Sequence, residues 1–158
     1  MKYDPIKNSL FIKNRQNFTN KLAKNSVAFF NSNDIYPISA DSTLPFEQHR
    51  DIFYLSGIDQ EESILVLFPD SNEPNYREIL FLRETNDHII HWEGEKLTKL
   101  DATKISGIKN VHWLGEFEEI LKSVLKEADH VYINTNEHYR QSVETQTRED
   151  RFIEKLKS

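Results

Sequence analysis

Cysteine is absent from the 158-residue chain, and glycine is scarce, with only four residues. Without cysteine, the chain has no disulfide, no thiolate nucleophile and no cysteine-ligated zinc or iron–sulfur centre. The glycines are too scattered for the glycine-rich loops that bind dinucleotides or nucleotide phosphates. They are Gly57, Gly94, Gly107 and Gly115. Any chemistry of this chain therefore has to come from other residue types.

An excess of basic residues and a long apolar run are also missing. Lys and Arg number 20 against 26 Asp and Glu, so the net charge is −6. That balance argues against a nucleic-acid partner, because neutralising phosphates needs a basic surface. No apolar run approaches the roughly 18 residues of a membrane span, and the N-terminus lacks the apolar stretch of a secretory signal. We expect no membrane partner and a cytoplasmic location.

Hydrophobic periodicity predicts a single domain of mixed α/β class. The clearest helix covers residues 117–125, whose apolar side chains form one stripe. The clearest strand is the continuous apolar run 63–68, which is typical of a strand buried on both faces, and it forms a hairpin with a strand at 76–83. The other predicted strands are residues 26–30, 51–56, 111–114 and 131–133. The other predicted helices are residues 10–22 and 100–108, and residues 35–48 are predicted to be a loop with an extended end.

Two sets of residues are candidates for binding a metal ion, and each has a simpler interpretation. His88 and His91 lie on a β-prone stretch, where a spacing of three places the rings on opposite faces, so two surface histidines are favoured. Asp41, Asp51 and Asp59 are the carboxylates that a small metal-dependent nuclease would use. An acidic chain always contains such groupings, and its charge disfavours a polyanionic substrate.

Trp92 is the candidate contact residue of the chain. It precedes Glu93 and Gly94, where a turn is predicted. A tryptophan exposed on a loop is often a contact residue, whereas the alternative is an anchor packed beneath the loop. From the residues alone, the chain is an α/β domain with no visible active site.

Residues 41–57, DSTLPFEQHRDIFYLSG, resemble the signature of a known module, the N-terminal domain of aminopeptidase P in the creatinase/prolidase group. In that family the stretch has the form D-x-x-Y-P-[FY]-R-Q-x-S-D-F-x-Y-L-T-G. The residues that match it are Pro45, Phe46, Gln48, Asp51, Tyr54, Leu55 and Gly57. Glu47 stands where the family has arginine, which reverses the charge at this position. If the family's arginine forms an internal ion pair, we expect Arg50 to form it here.

Further segments are similar to the family in the same order along the chain. They are the strand at 61–67, the strand at 78–83, the W-x-G turn of Trp92, Glu93 and Gly94, the helix at 117–121 and the segment 134–138. The resemblance covers residues 15–152, nearly the whole chain.

The resemblance implies a non-catalytic role for this chain. The family fold is an α/β domain with a mixed sheet flanked by helices, as in the ribonuclease H-like group. In the family, a C-terminal pita-bread domain binds two metal ions, often manganese, and hydrolyses the peptide bond before proline. Residues 1–150 would then be the N-terminal domain and residues 151–158 the start of the linker. No residue here inherits a catalytic or metal-binding role, and no cofactor is expected in this chain.

The resemblance also implies partners. These are the pita-bread domain itself, further copies in a homo-oligomer, and proline-containing peptides bound by the intact enzyme. In the family, the W-x-G loop reaches toward a neighbouring subunit's active site, so Trp92, Glu93 and Gly94 are the candidates for the substrate side or a subunit contact. Two alternatives remain. The first is a free-standing interaction domain, and the second, less favoured, is the small metal-dependent nuclease.

Overall fold

The computed structural model describes residues 5–86, 94–135 and 146–158. The strands are β1 Ser26–Asn31, β2 Pro37–Ser39, β3 Ser42–Thr43, β4 Ile64–Leu67, β5 Glu78–Leu82, β6 Asn110–Trp113 and β7 His130–Ile133. The helices are α1 Asn8–Thr19, α2 Arg50–Ser56, α3 Lys99–Ser106, α4 Phe117–Glu127 and α5 Arg148–Lys157. None of the helices in the described ranges has the length and apolar composition of a membrane span.

Five strands form one mixed sheet in the order β6-β5-β4-β1-β7. The central strand β4 is antiparallel to both neighbours, β1 and β5, whereas β6 runs parallel to β5 and β7 runs parallel to β1. The predicted β4–β5 hairpin is confirmed, with Leu65 opposite Leu80. Every residue of β4 is buried, as a continuous apolar run predicts for a strand covered on both faces.

Helices cover both faces of this sheet, so alternate residues of each central strand enter two separate cores. On β1, Phe29 packs with α4 and α5, while Phe30 belongs to the core under α1, α2 and α3. Phe152 of α5 lies 5.4 Å from the Phe29 ring and 6.1 Å from the Phe117 ring, centroid to centroid. The predicted fold class, a mixed sheet flanked by helices, is confirmed. The boundary predicted after residue 150 falls within the packed helix α5, and the linker beyond it stays a prediction.

The strand predicted at residues 51–56 is wrong, because this segment is the helix α2. His49 caps its N-terminus, its Nδ1 accepting a hydrogen bond from the Asp51 amide at 3.3 Å. Ile52 and Leu55 share the buried face, three residues apart as in a helix. Gly57 ends the helix at φ +72°, and an added Cβ there would lie 2.3 Å from the Phe11 ring. The caps and this packing outweigh the β preference of the aromatic residues, which is weak and depends on context.

Candidate functional site

A cleft of about 650 Å³ lies beyond the carboxyl ends of β1 and β7. These strands are parallel and adjacent, so the segments that follow them meet at the same edge of the sheet. The first turn of α5 forms the opposite wall with Thr147, Arg148 and Glu149, and Pro45 and Phe46 of the 41–57 motif line the cleft as well. The cleft therefore joins the motif, the ends of two strands and the last helix.

One side of the cleft is fixed by hydrogen bonds between α2 and the end of β7. The Asn134 amide Nδ2 donates to the Asp51 carboxylate at 2.7 Å and lies 3.4 Å from His49 Nε2. Asp51 is a motif residue, and this contact joins the N-terminus of α2 to the residue that follows β7. Its role in the structure is to position these two elements.

The other side of the cleft holds a half-buried carboxylate. Glu149 Oε2 accepts a hydrogen bond from Asn31 Nδ2 at 3.1 Å, while its Oε1 is buried and has no hydrogen-bond partner among the described residues. Removal from water raises the pKa of Glu149 to about 6, against the opposing effects of the Asn31 hydrogen bond and the charge of Arg148. Removal from water also lowers the pKa of Arg148. The carboxylate of Glu149 is thus held in its charged form at a cost.

We expect Glu149→Gln to stabilise the domain at pH 7.5 and to have little effect at pH 4.5. The folded pKa lies above the unfolded value, so the stabilisation that protonated Glu149 provides is present below about pH 4.5 and is lost as the pH rises through 6. Glutamine keeps an acceptor for Asn31 and removes the buried charge. Because Glu149 is partly exposed, we expect a gain of about 1 kcal/mol in the free energy of urea unfolding.

The matched control is Glu118→Gln, which also removes a carboxylate near α5, since Glu118 pairs with Lys155 at the surface. This control should change stability by less than about 0.5 kcal/mol at both pH values. If Glu149→Gln changes the free energy of unfolding by the same amount at pH 4.5 and at pH 7.5, the raised pKa of Glu149 is wrong.

The remaining motif residues build the scaffold around the cleft. Gln48 Nε2 donates to the Gln60 carbonyl at 2.9 Å, which ties the start of α2 to the segment after it. The Tyr54 side chain is 57% exposed, and its carbonyl accepts from Asn14 Nδ2 at 2.8 Å. Arg50 is exposed, and within the described ranges it forms no ion pair, so the expected replacement for the family's arginine is not seen there.

The loop candidates lie mostly beyond the described residues. Trp92 and Glu93 fall in 87–93, outside the described ranges. Gly94 is in the left-handed region at φ +83°, and no described residue lies within 4 Å of where a Cβ would be. The chain after Gly94 is anchored to the loop between α2 and β4. Lys96 pairs with Glu61, both side chains at most 14% exposed, and the Leu97 amide donates to the Gln60 side chain at 2.7 Å.

The carboxylates proposed for a nuclease do not come together. Asp51 lies in the first turn of α2 and Asp59 beyond its end, while Asp41 is exposed in the turn between β2 and β3. Across residues 5–86, 94–135 and 146–158, no cluster of three His, Asp or Glu side chains is arranged to hold a metal ion. The described parts of the chain therefore do not fit a metal centre, and we derive no catalytic step through one. His88 and His91 lie outside the described residues.

Sequence reasoning missed most of the polar residues that line or support the cleft. Asn31, Asp34 and Glu149 belong to no motif, and nothing in the local sequence shows that residues 31–34 meet a helix more than 100 positions later. Asp34 pairs with Arg151 at 2.7 Å, linking the segment after β1 to α5. A usable signal was present: polar residues follow two predicted strands directly, at 31–34 and at 134–135.

Residues 11–132 match the sequence profile of the family described as aminopeptidase P, N-terminal domain. The match spans more than half of the chain and includes the motif and most of the sheet. The chain belongs to the aminopeptidase P N-terminal domain family. This family assignment confirms the resemblance seen in the sequence.

Relatives of the domain include Xaa-Pro aminopeptidases. Human Xaa-Pro aminopeptidase 3 is 29% identical over 103 residues, which are 64% of this chain and 20% of the human protein. A Bacillus anthracis chain assigned to aminopeptidase P superposes with a TM-score of 0.85 at 26% identity, covering 96% of this chain and 36% of that one. Zinc-substituted Escherichia coli aminopeptidase P in complex with product superposes with a TM-score of 0.75 at 25% identity. This superposition covers 86% of this chain and 31% of the Escherichia coli chain. The chain thus spans about a fifth of the human relative and about a third of the solved chains.

Proposed function

We propose that this chain is the non-catalytic N-terminal domain of a cytoplasmic Xaa-Pro aminopeptidase. The observation that carries the proposal is the family match over residues 11–132, together with the superposition on a chain almost three times as long. In this proposal a separate catalytic domain holds two manganese or similar divalent ions and hydrolyses the peptide bond before proline. Two divalent ions in such a domain would activate water and stabilise the transition state.

The N-terminal domain would contribute to assembly and to access to the active site. Trp92, Glu93 and Gly94 are the residues proposed to face substrate or a neighbouring subunit in a homo-oligomer. The clamp formed by Lys96 and Glu61 supports this role, because a buried ion pair next to Gly94 fixes where the loop leaves the domain. A large, rigid aromatic side chain such as Trp92 would supply an apolar wall for a peptide.

The isolated chain should not hydrolyse Xaa-Pro peptides, with or without manganese, because the proposed catalytic residues belong to another domain. A chimera should hydrolyse them if this chain replaces the matched domain of the Bacillus anthracis protein, since the two superpose over 96% of this chain. Release of the first residue from an Xaa-Pro peptide is the measurement. Turnover by the isolated chain, free of contaminating peptidase, would overturn the non-catalytic assignment, and a folded but inactive chimera would overturn the domain role.

The same chimera tests the loop. Trp92→Ala should lower kcat/KM about tenfold, which corresponds to a loss of about 1.4 kcal/mol in transition-state stabilisation. Tyr132→Ala is the matched control, because Tyr132 is an exposed aromatic residue on the edge strand β7, away from the loop anchor. Equal kinetics for both variants would mean that Trp92 is not on the substrate side.

A further inference from the structure

The β2–β3 hairpin exposes apolar side chains that neither core uses. Ile35, Tyr36, Ile38 and Leu44 are between 39% and 59% exposed, and we name these four residues the hairpin patch. Every residue of β2 and β3 is exposed, and the two strands pair with each other rather than with the five-stranded sheet. A two-stranded hairpin is marginally stable in water by itself, so this one gains from a surface to pack against.

The backbone of the hairpin is shaped in an unusual way. Pro37 is opposite Thr43 and Ser39 is opposite Ser42, which leaves Ile38 as the extra residue of a bulge. Bulges redirect a side chain, and together with proline they make an edge unsuitable for adding another strand. Ala40 in the turn has φ +50°, a conformation that costs a non-glycine residue about 1 kcal/mol and is concentrated at functional sites. The hairpin therefore offers side chains, not a strand edge, to a partner.

The size and charge of the patch decide between possible partners. Half-exposed side chains of this size present about 100 Å² each, so the patch offers about 400 Å². Two copies meeting through it would bury only about 800 Å², below the roughly 1,200 Å² of stable complexes. Asp41 and Glu47, both exposed, flank the patch, so a symmetric pair would also bring acidic groups together. A second copy is therefore a poor occupant.

A domain joined in the same polypeptide is a better occupant. In the Bacillus anthracis relative, the matched domain is 36% of the chain, so about two thirds of that chain lies elsewhere. Covalent connection gives effective concentrations near the millimolar range, and domain interfaces are smaller and more polar than those of obligate complexes. A patch of this size is enough under those conditions.

We propose that the hairpin patch is the docking surface for the catalytic part of a Xaa-Pro aminopeptidase polypeptide. That part presents an apolar face with basic side chains opposite Asp41 and Glu47. Tyr36 and Leu44 also line the cleft beside Arg148 and Glu149, so the docked part would close one side of the cleft. This inference rests on the proposed function.

The absence of cysteine allows a direct test by single-cysteine labelling. Ile38→Cys places a thiol in the patch, and Leu100→Cys places one at a 63% exposed position on α3, which packs beside β6 at the far edge of the sheet. Maleimide labelling rates are compared in the isolated chain and in the chimera, with other reactive cysteines removed. We expect both positions to react freely in the isolated chain. In the chimera, labelling at position 38 should slow at least tenfold, about 1.4 kcal/mol of protection, while position 100 stays within about twofold.

Other outcomes would overturn the docking proposal or its charged component. Equal rates at position 38 in both proteins would mean that the catalytic part does not cover the patch. Slow labelling in the isolated chain that speeds up on dilution would mean that a second copy covers it. In the chimera, Asp41→Lys with Glu47→Lys should restore part of the labelling, and no restoration would remove the basic face from the proposal. Peptide hydrolysis is read separately: an active chimera with an unprotected position 38 retains the proposed function and rejects the docking surface.

Discussion

Val66→Asp should unfold the domain or destabilise it by more than about 4 kcal/mol. Val66 is 2% exposed on the central strand β4, opposite Phe29 on one side and Ile79 on the other. The surrounding cluster is apolar, so aspartate would either carry an unpaired charge or be protonated at a cost. Single-domain proteins are stable by only about 5–15 kcal/mol, so this loss is a large fraction of the total.

The matched control is Val131→Asp on the edge strand β7. Val131 is opposite Val27 in the same sheet but is 42% exposed, so the new carboxylate stays in water. We expect a loss of about 1 kcal/mol or less, from the poor β propensity of aspartate. Urea unfolding followed by circular dichroism compares the two variants. Similar midpoints for Val66→Asp and Val131→Asp would show that β4 is not the centre of the sheet.

The local sequence pattern predicts an element correctly where that element buries an apolar stripe or is apolar on all sides. The helix predicted at 117–125 lies within α4, and its Ile120, Leu121 and Val124 are buried as the periodicity indicates. The run at 63–68 contains β4. In both segments the residues that determine the element are the ones that fill the core, so propensity, pattern and packing agree.

Local pattern failed where polar residues face the interior. The helix predicted at 10–22 exists as α1, but Phe18 and Leu22, apolar residues of the predicted segment, are only partly buried. Its fully buried face consists of Phe11, Asn14 and Arg15. Periodicity treats arginine and asparagine as solvent-facing, and only contacts with distant carbonyl groups make their burial favourable.

The candidate site was predictable only in its motif. Pro45, Phe46 and Asp51 were found by resemblance, and the structure places all three at or beside the cleft. Asn134, the hydrogen-bond partner of Asp51, is placed there by the parallel pairing of β1 with β7, strands about 100 residues apart in the chain. Glu149 bonds instead to Asn31, which lies 118 positions earlier. Such pairing depends on the whole sheet and leaves no local signature.

Arg15→Met should lower the free energy of unfolding by roughly 3–5 kcal/mol. Arg15 is completely buried, and its Nη1 donates to the Leu55 carbonyl at 2.9 Å and to the Ser106 carbonyl at 3.0 Å. These carbonyls lie in the last turns of α2 and α3, where the helix dipoles favour a cation. Its Nη2 pairs with Glu78 on β5 at 3.1 Å. One guanidinium thus joins α1 to two helices and the sheet.

Methionine keeps the volume of the Arg15 stem but leaves two carbonyls and a carboxylate without their donor, so the loss comes from unmet hydrogen bonds rather than from a cavity. Arg151→Met is the matched control, because Arg151 pairs with Asp34 near the surface, where an ion pair contributes at most about 1 kcal/mol. Arg15→Lys should fall between the two, since an ammonium keeps the charge but cannot hold all three acceptors in the geometry of a guanidinium. If Arg15→Met unfolds in urea at the midpoint of Arg151→Met, Arg15 does not hold these elements together. If Arg15→Lys unfolds at the same urea concentration as the parent, a positive charge alone holds these elements together and the geometry of the guanidinium is not required.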